Sequence, residues 1–362
     1  MNVGLAAPFP WFGGKRHVSS VVWDRFGDVQ SYVEPFFGSG AVLLGRPTAP
    51  QLETVNDLDG YVANFWRALQ ADPDAVAHHA DWPANEADLH ARHSWLTAQR
   101  ETLLARLCGA PDFCDAKIAG WWVWGMAVWI GGGFCSGDGP WIVHDGMLVR
   151  RESADNAGRG VKRQIVHLGD AGRGVKRQIV HLGDAGQGVQ RKRVHLGDAG
   201  QGDPRIGECG ILDWMRALAA RLARVRICCG DWSRICGNSV TVAHGTTAVF
   251  LDPPYSDVAD REAAIYIEDS LDVAHDVRAW CVEWGGNPLM RIALCGYVGE
   301  HEALAEHGWT PHFWTAHGGY AHLGNGRGKE NRKREVIWFS PHCLPVEARH
   351  QQLDLLALEA ES

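Results

Sequence analysis

Asp252-Pro253-Pro254-Tyr255 carries the most specific chemistry in the 362-residue sequence. Two consecutive prolines fix φ and withhold two backbone donors, so they hold a rigid turn whose carbonyls stay available to accept hydrogen bonds. An acidic side chain before them and an aromatic ring after them frame a slot for a flat group bearing an NH2. Two other segments are read with this one. Trp11-Phe12-Gly13-Gly14-Lys15 lies near the N-terminus, and Glu34-Pro35-Phe36-Phe37-Gly38-Ser39-Gly40 follows a short apolar run. Gly38 and Gly40 admit two readings, a tight strand-to-helix turn or a close approach of backbone to ligand. The third glycine of a dinucleotide fingerprint is absent at its expected offset, which disfavours NAD. No Gly-Lys-Ser/Thr follows, so this site is not a P-loop.

The elements that must position these residues are legible on both sides of the middle of the chain. Short β-type runs at 31–34, 53–56, 225–229, 248–251 and 291–295 end in loops that bear polar residues or glycine. Helical stretches at 41–45, 61–70 and 211–224 separate several of them. Alternation of this kind predicts a largely parallel sheet covered on both faces, with ligand beyond the carboxyl ends of the strands, where the three segments fall.

Composition sets wider bounds. Hydrophobic residues make up 46% and charged residues 22%, which supports a sizeable core and excludes a disordered tail, a disulfide miniprotein or a collagen-like fibre. The ten cysteines include no C-x-x-C, so free thiols in a reducing cytoplasm are expected, with no metal site. Residues 1–12 lack a secretory pattern. The stretch 118–137 has no charge, but its glycines and scattered tryptophans suit a buried helix followed by a glycine loop better than a membrane span. Trp121, Trp122, Trp124 and Trp129 therefore read as core more readily than as a base-stacking surface.

A net charge of −8 argues against a nucleic-acid partner until it is partitioned. Residues 150–205 hold 12 basic and 6 acidic side chains, a +6 insert in a body of −14. Within it, 161–174, 175–188 and 189–202 repeat at a period of 14 residues, each with a β-leaning segment closed by Gly-Asp-Ala-Gly. Stacked strand-and-turn units and a partly ordered loop both fit this pattern. So do two roles: a tandem duplication in a tolerant loop, or a basic arm along phosphates through Arg163, Arg177 and Arg193. A second basic cluster, Arg327, Lys329, Arg332, Lys333 and Arg334, reads either as a phosphate contact or as a solvated charge run.

Taken together, these residues resemble the D12 class, or Dam-like, DNA adenine-N6 methyltransferases. The resemblance covers Trp11 to Lys15, the Glu34 to Gly40 loop, Asn56-Asp57 with the helix after it, Asp231-Trp232, Asp252 to Tyr255 and the closing Arg334-Glu335-Val336-Ile337-Trp338. It implies a Rossmann-like α/β fold dependent on S-adenosylmethionine. The expected organisation is a catalytic domain from 1–70 and 208–345, an inserted target-recognition region at 71–207 and a tail at 346–362.

Residue by residue, the resemblance implies cofactor contacts from Trp11, Gly13, Gly14 and Lys15. It implies a loop around the methionine moiety from Glu34, Pro35, Phe36, Gly38, Ser39 and Gly40. Asp57 would meet the ribose hydroxyls, with a helix cap as its bland reading. Asp231 and Trp232 would lie near the cofactor adenine, and Asp252 would face both cofactor and target.

Catalysis would follow from the exocyclic amine, a poor nucleophile because its lone pair is delocalised into the ring. Hydrogen bonds from N6 to Asp252 and the Pro253 carbonyl would strengthen toward the transition state, with Pro254 completing the turn and Tyr255 stacking on the base. Such a slot requires the target to be flipped out of double-stranded DNA. The absence of a Pro-Cys dipeptide disfavours cytosine-C5 chemistry. Methylation of cytosine N4 or another amino group is the rival enzyme reading; a DNA-binding protein of the same fold without turnover is the rival from another class. A cytoplasmic location and no membrane partner are expected, in a bacterium or in the host of a phage, with or without a cognate restriction endonuclease.

Overall fold

The computed structural model describes residues 5–9, 11, 15–48, 51–129, 134–135, 141–144, 147–150, 210–254, 273–314 and 335–345. The expected roles of Gly13, Gly14, Tyr255, the 14-residue repeats, Arg163, Arg177, Arg193, Arg327, Lys329, Arg332, Lys333 and Arg334 fall outside the described residues.

Nine strands are described: β1 (Ser31–Glu34), β2 (Leu52–Asp57), β3 (Trp141–His144), β4 (Met147–Arg150), β5 (Val225–Cys229), β6 (Thr247–Leu251), β7 (Met290–Tyr297), β8 (Thr310–Phe313) and β9 (Glu335–Phe339). Seven of them form one sheet in the order β5-β2-β1-β6-β7-β9-β8. The first five run parallel, and β9 runs antiparallel to both β7 and β8. The expectation of a largely parallel sheet thus holds, with a mixed edge added to it. Order reverses between β1 and β6, which creates the crevice at their carboxyl ends where such sheets bind ligands. β3 and β4 pair with each other as a separate antiparallel hairpin inside the 71–207 interval.

Every residue of β1, β6 and β9 is buried, as central strands covered on both faces require. Side chains of period two are divided between two cores. Tyr32, Val55, Ala248, Phe250, Ala293, Cys295, Ile337 and Phe339 enter the larger one. Val33, Val249, Leu251, Ile292, Leu294, Val336 and Trp338 enter the smaller.

The helices are α1 (Ser19–Phe26), α2 (Ala41–Leu44), α3 (Gly60–Ala71), α4 (Pro73–Ala80), α5 (Glu86–Gly109), α6 (Ala116–Val128), α7 (Ile211–Leu222) and α8 (Val273–Trp284). Asp59, Asp72, Asn85 and Asp115 each cap the helix that follows by accepting a backbone N–H. The charge-free stretch is indeed helical in α6, where Trp122 and Trp124 are buried while Trp121 and Trp129 are partly covered. Trp129 stacks on His93 with ring centroids 4.9 Å apart. Buried residues of α4, α5 and α6 join α3 and α7 in the larger core. Among the described residues no helix is long and apolar enough to cross a membrane, and the nine described cysteines are free thiols.

Candidate active site

Strand periodicity predetermines which side chains meet. Glu34 is two residues beyond Tyr32, Asp57 two beyond Val55, Asp252 two beyond Phe250, Tyr297 two beyond Cys295, and Glu335 two before Ile337. Each reference residue faces the larger core, so the five polar residues emerge on that face. All five stand at the same end of the sheet, because β9 starts where β7 finishes and pairs Glu335 with Tyr297.

A cleft of about 980 Å³, including its solvent-open mouth, lies at that end. Trp11, Lys15, Glu34, Gly38, Ser39, Asp57, Asp231, Trp232, Asp252 and Pro254 all line it, which unites five segments that are separate in sequence. Pro35 and Phe36 line it too, while Gly40 and Pro253 are not among the lining residues.

The glycine loop is held from three sides. Gly38 has φ +47°, and a Cβ there would overlap the Trp11 indole; Gly40 has φ +62°, and a Cβ there would lie 2.7 Å from the Phe37 ring. The tight-turn reading therefore holds at Gly38, where the backbone also approaches a side chain of the protein itself. Trp66 Nε1 donates to the Gly38 carbonyl at 2.8 Å, and the Gly38 N–H donates to Asp57 Oδ2 at 2.8 Å. Asn56 Nδ2 donates to the carbonyls of Pro35 at 3.1 Å and Gly230 at 2.8 Å, which draws the ends of β1, β2 and β5 together.

Asp57 accepts a second backbone bond, from Asp59 N to Oδ1 at 2.9 Å. The helix-cap reading of Asp57 is corrected here: Asp59 caps α3 through Tyr61 N, two residues later than the sequence signal, because Asp57 is still in β2. Burial, with Asp59 nearby, pushes the Asp57 carboxyl up to about 7 against the opposing pull of the Gly38 N–H. Glu34 is also buried and accepts from the Tyr32 hydroxyl at 2.8 Å; burial drives its carboxyl well above the usual range despite that bond. Asp231 is exposed and accepts from Ser233 N at 3.0 Å, capping the short helical turn Trp232–Ile235. The Trp232 ring lies 6.2 Å from that of Phe36 at an interplanar angle of 27°, so the cleft carries an aromatic wall.

Lys15 is buried, and its Nζ lies 3.0 Å from Asp252 Oδ2 and 3.5 Å from Glu335 Oε2. Burial works against its charge, but the two carboxylates hold the ammonium well above the ordinary lysine range. The sequence points Lys15 toward the cofactor and gives Glu335 no role; the structure sets Lys15 between two carboxylates. Asp59 and Trp66 are further parts of the frame without a sequence expectation of their own, although the Asp59 cap is findable as an Asp one residue before the helix; Asn56, noted in the sequence only as the neighbour of Asp57, is another.

A Rossmann-like sheet with an antiparallel strand inserted near one edge, and a glycine loop facing an acid-Pro-Pro turn across its switch point, defines the class: an α/β methyltransferase. Residues 11–102 match the family model described as D12 class N6 adenine-specific DNA methyltransferase, a family of enzymes of adenine DNA methylation. Use of S-adenosylmethionine is implied by the family. No curated protein matches the chain.

Proposed function

We propose that the protein transfers a methyl group from S-adenosylmethionine to N6 of an adenine flipped out of double-stranded DNA, with the cleft as cofactor site. The donor set of the cleft carries this reading. Among the described residues its ionisable lining side chains are Glu34, Asp57, Asp59, Asp231, Asp252 and one basic group, Lys15, which is committed to carboxylates. An acidic, partly aromatic cleft suits a cationic adenosyl group and would repel a pyrophosphate. Asp57 and the Gly38 loop would hold the ribose and methionine portions, and Asp231 with Phe36 and Trp232 the adenine. When bound, the cofactor supplies an electrophilic methyl group on a sulfonium.

The chain's own contribution is acceptance and alignment. Asp252 and the Pro253 carbonyl would accept the N6 hydrogens as positive charge develops on nitrogen, an interaction stronger in the transition state than in the ground state. Trp11 and Trp66 fix the glycine loop, so the methyl donor meets a preset surface. Tyr255 would stack on the extruded base. The basic repeats, within a target-recognition region spanning 71–207, and the cluster around Lys329, within the C-terminal catalytic segment, are the proposed phosphate contacts. This reading puts the enzyme in the cytoplasm with its DNA.

Incubation of the protein with unmethylated duplex and labelled cofactor, followed by nucleoside analysis, tests the proposal. N6-methyladenine is expected. N4-methylcytosine in its place, or DNA binding with no transfer, would overturn it.

A further inference from the structure

We infer that Glu335 is a positioning residue for methyl transfer, acting through Lys15 on Asp252; this rests on the reading of Asp252 as acceptor for the reacting amine. Glu335 opens β9 opposite Tyr297 and is buried at the same end of the sheet as Asp252. Lys15 Nζ lies between the two carboxylates, 3.0 Å from one and 3.5 Å from the other. The Trp314 ring, 5.7 Å from Nζ, closes another side of the ammonium, and the Trp314 backbone N–H donates to the Glu335 carbonyl at 3.3 Å.

Stability does not account for this arrangement. One buried lysine needs one buried carboxylate, and a second carboxylate adds a desolvation cost that a single shared cation does not repay in full. Its effect is electrostatic. With Lys15 shared, the three side chains carry a net charge of −1 beside the place where a neutral amine becomes cationic. Neutralising Glu335 leaves Lys15 to Asp252 alone, brings the cluster to zero, and weakens Asp252 as an acceptor when the reaction most needs it.

Among the described residues the groups facing Glu335 are Lys15 from the turn before α1, Asp252 beyond β6, and Cys295 and Tyr297 of β7. Burial pushes the Glu335 carboxyl up, while Lys15 draws it down less strongly. Its protonation therefore adds a component to the acid side of the rate profile, at higher pH than an ordinary glutamate would.

The test compares the full-length wild-type protein with Glu335→Gln, Glu335→Asp and Asp252→Ala. It reads single-turnover transfer to adenine in a duplex from about pH 5 to 9, cofactor affinity and thermal midpoint. Glu335→Gln should lower the single-turnover rate about tenfold, with cofactor affinity changed less than about twofold, and should lose the Glu335 component of the acid limb. Glu335→Asp, which keeps the charge at shorter reach, should recover part of the rate and the limb. A wild-type rate and profile in Glu335→Gln overturns the inference. So does a loss that follows cofactor affinity and thermal midpoint alone. Should Glu335→Gln not fold, the neutral Glu335→Leu replaces it, and a wild-type rate and profile in that variant overturns the inference equally. Wild-type transfer by Asp252→Ala instead overturns the underlying site reading, so the two failures are distinguishable.

Discussion

Lys15 and Asp252, 237 positions apart in the chain, form a buried ion pair at 3.0 Å that ties the N-terminal Gly-Gly-Lys segment to the Asp-Pro-Pro turn. Removing only the lysine leaves Asp252 and Glu335 as neighbouring carboxylates without their cation. Lys15→Met should therefore cost about 3 kcal/mol in urea unfolding, the usual scale for a broken buried pair. The double variant Lys15→Met/Asp252→Asn should be more stable than the single one, since one of the two orphaned carboxylates, and its repulsion of the other, is gone. Equal stability of the two variants would show that the pair contributes through packing alone.

Gly38 is where backbone conformation and packing coincide. At φ +47° an alanine is strained, and its Cβ would enter the Trp11 indole. Gly38→Ala should destabilise the fold by about 1–3 kcal/mol, from overpacking and left-handed backbone together. Shifting the loop also strains the Asp57 and Trp66 bonds at Gly38, so cofactor affinity should fall. Trp11→Ala in the Gly38→Ala background relieves the overlap but not the φ, and should recover stability in part. Calorimetric unfolding of these two variants and of Trp11→Ala alone separates the two contributions.

Much of the sheet is readable in the sequence because central parallel strands are short, apolar and β-branched. The runs at 31–34 and 225–229 coincide with β1 and β5, and β2, β6 and β7 differ from expectation by one or two residues at their ends. The site segments are readable because glycines at 38 and 40 and prolines at 253 and 254 are rare local choices. Glu335 is not readable as a functional residue. Its strand is antiparallel, so nothing in the local pattern tells that it begins beside the end of β7. Asp57 and Asp59 are only two residues apart, and a cap signal alone does not say where the strand stops. Trp66 looks like any other apolar position of α3, and its indole bond to Gly38 depends on a packing angle that sequence does not encode.

Asp57, as the proposed ribose contact, should make cofactor affinity depend on pH. Its carboxyl is pushed up to about 7, chiefly by burial, so the fraction ionised rises through neutrality. Ribose hydroxyls donate better to a carboxylate than to a carboxylic acid, and affinity for S-adenosylmethionine should strengthen as pH rises through 7. The unliganded fold should respond in the opposite sense. Its raised value lets the native state keep a proton that the unfolded chain has released, so this group's contribution to stability declines from the ordinary aspartate range up to about pH 7. Titration calorimetry across that range checks the first effect, and Asp57→Asn should flatten it. An affinity profile unchanged by that substitution would remove Asp57 from the proposed ribose contact.

The charge partition leads to a test on the repeats. Residues 161–202 contain eight basic side chains against three aspartates, within a chain whose net charge is −8. A body so acidic has little long-range attraction for DNA, so affinity must come from local basic surface. If the repeats lie along phosphates, deleting 161–202 should make the plot of log K against log salt shallower by about 0.9 for each phosphate no longer neutralised. Transfer at saturating DNA should survive, because the described cleft residues all lie outside the deleted segment. A slope equal to that of the full chain would assign the repeats to a tolerated duplication. Phosphate binding would then rest on the cluster at 327–334, where charge reversal at Lys329 and Arg332 should lower affinity and make the salt plot shallower in its turn.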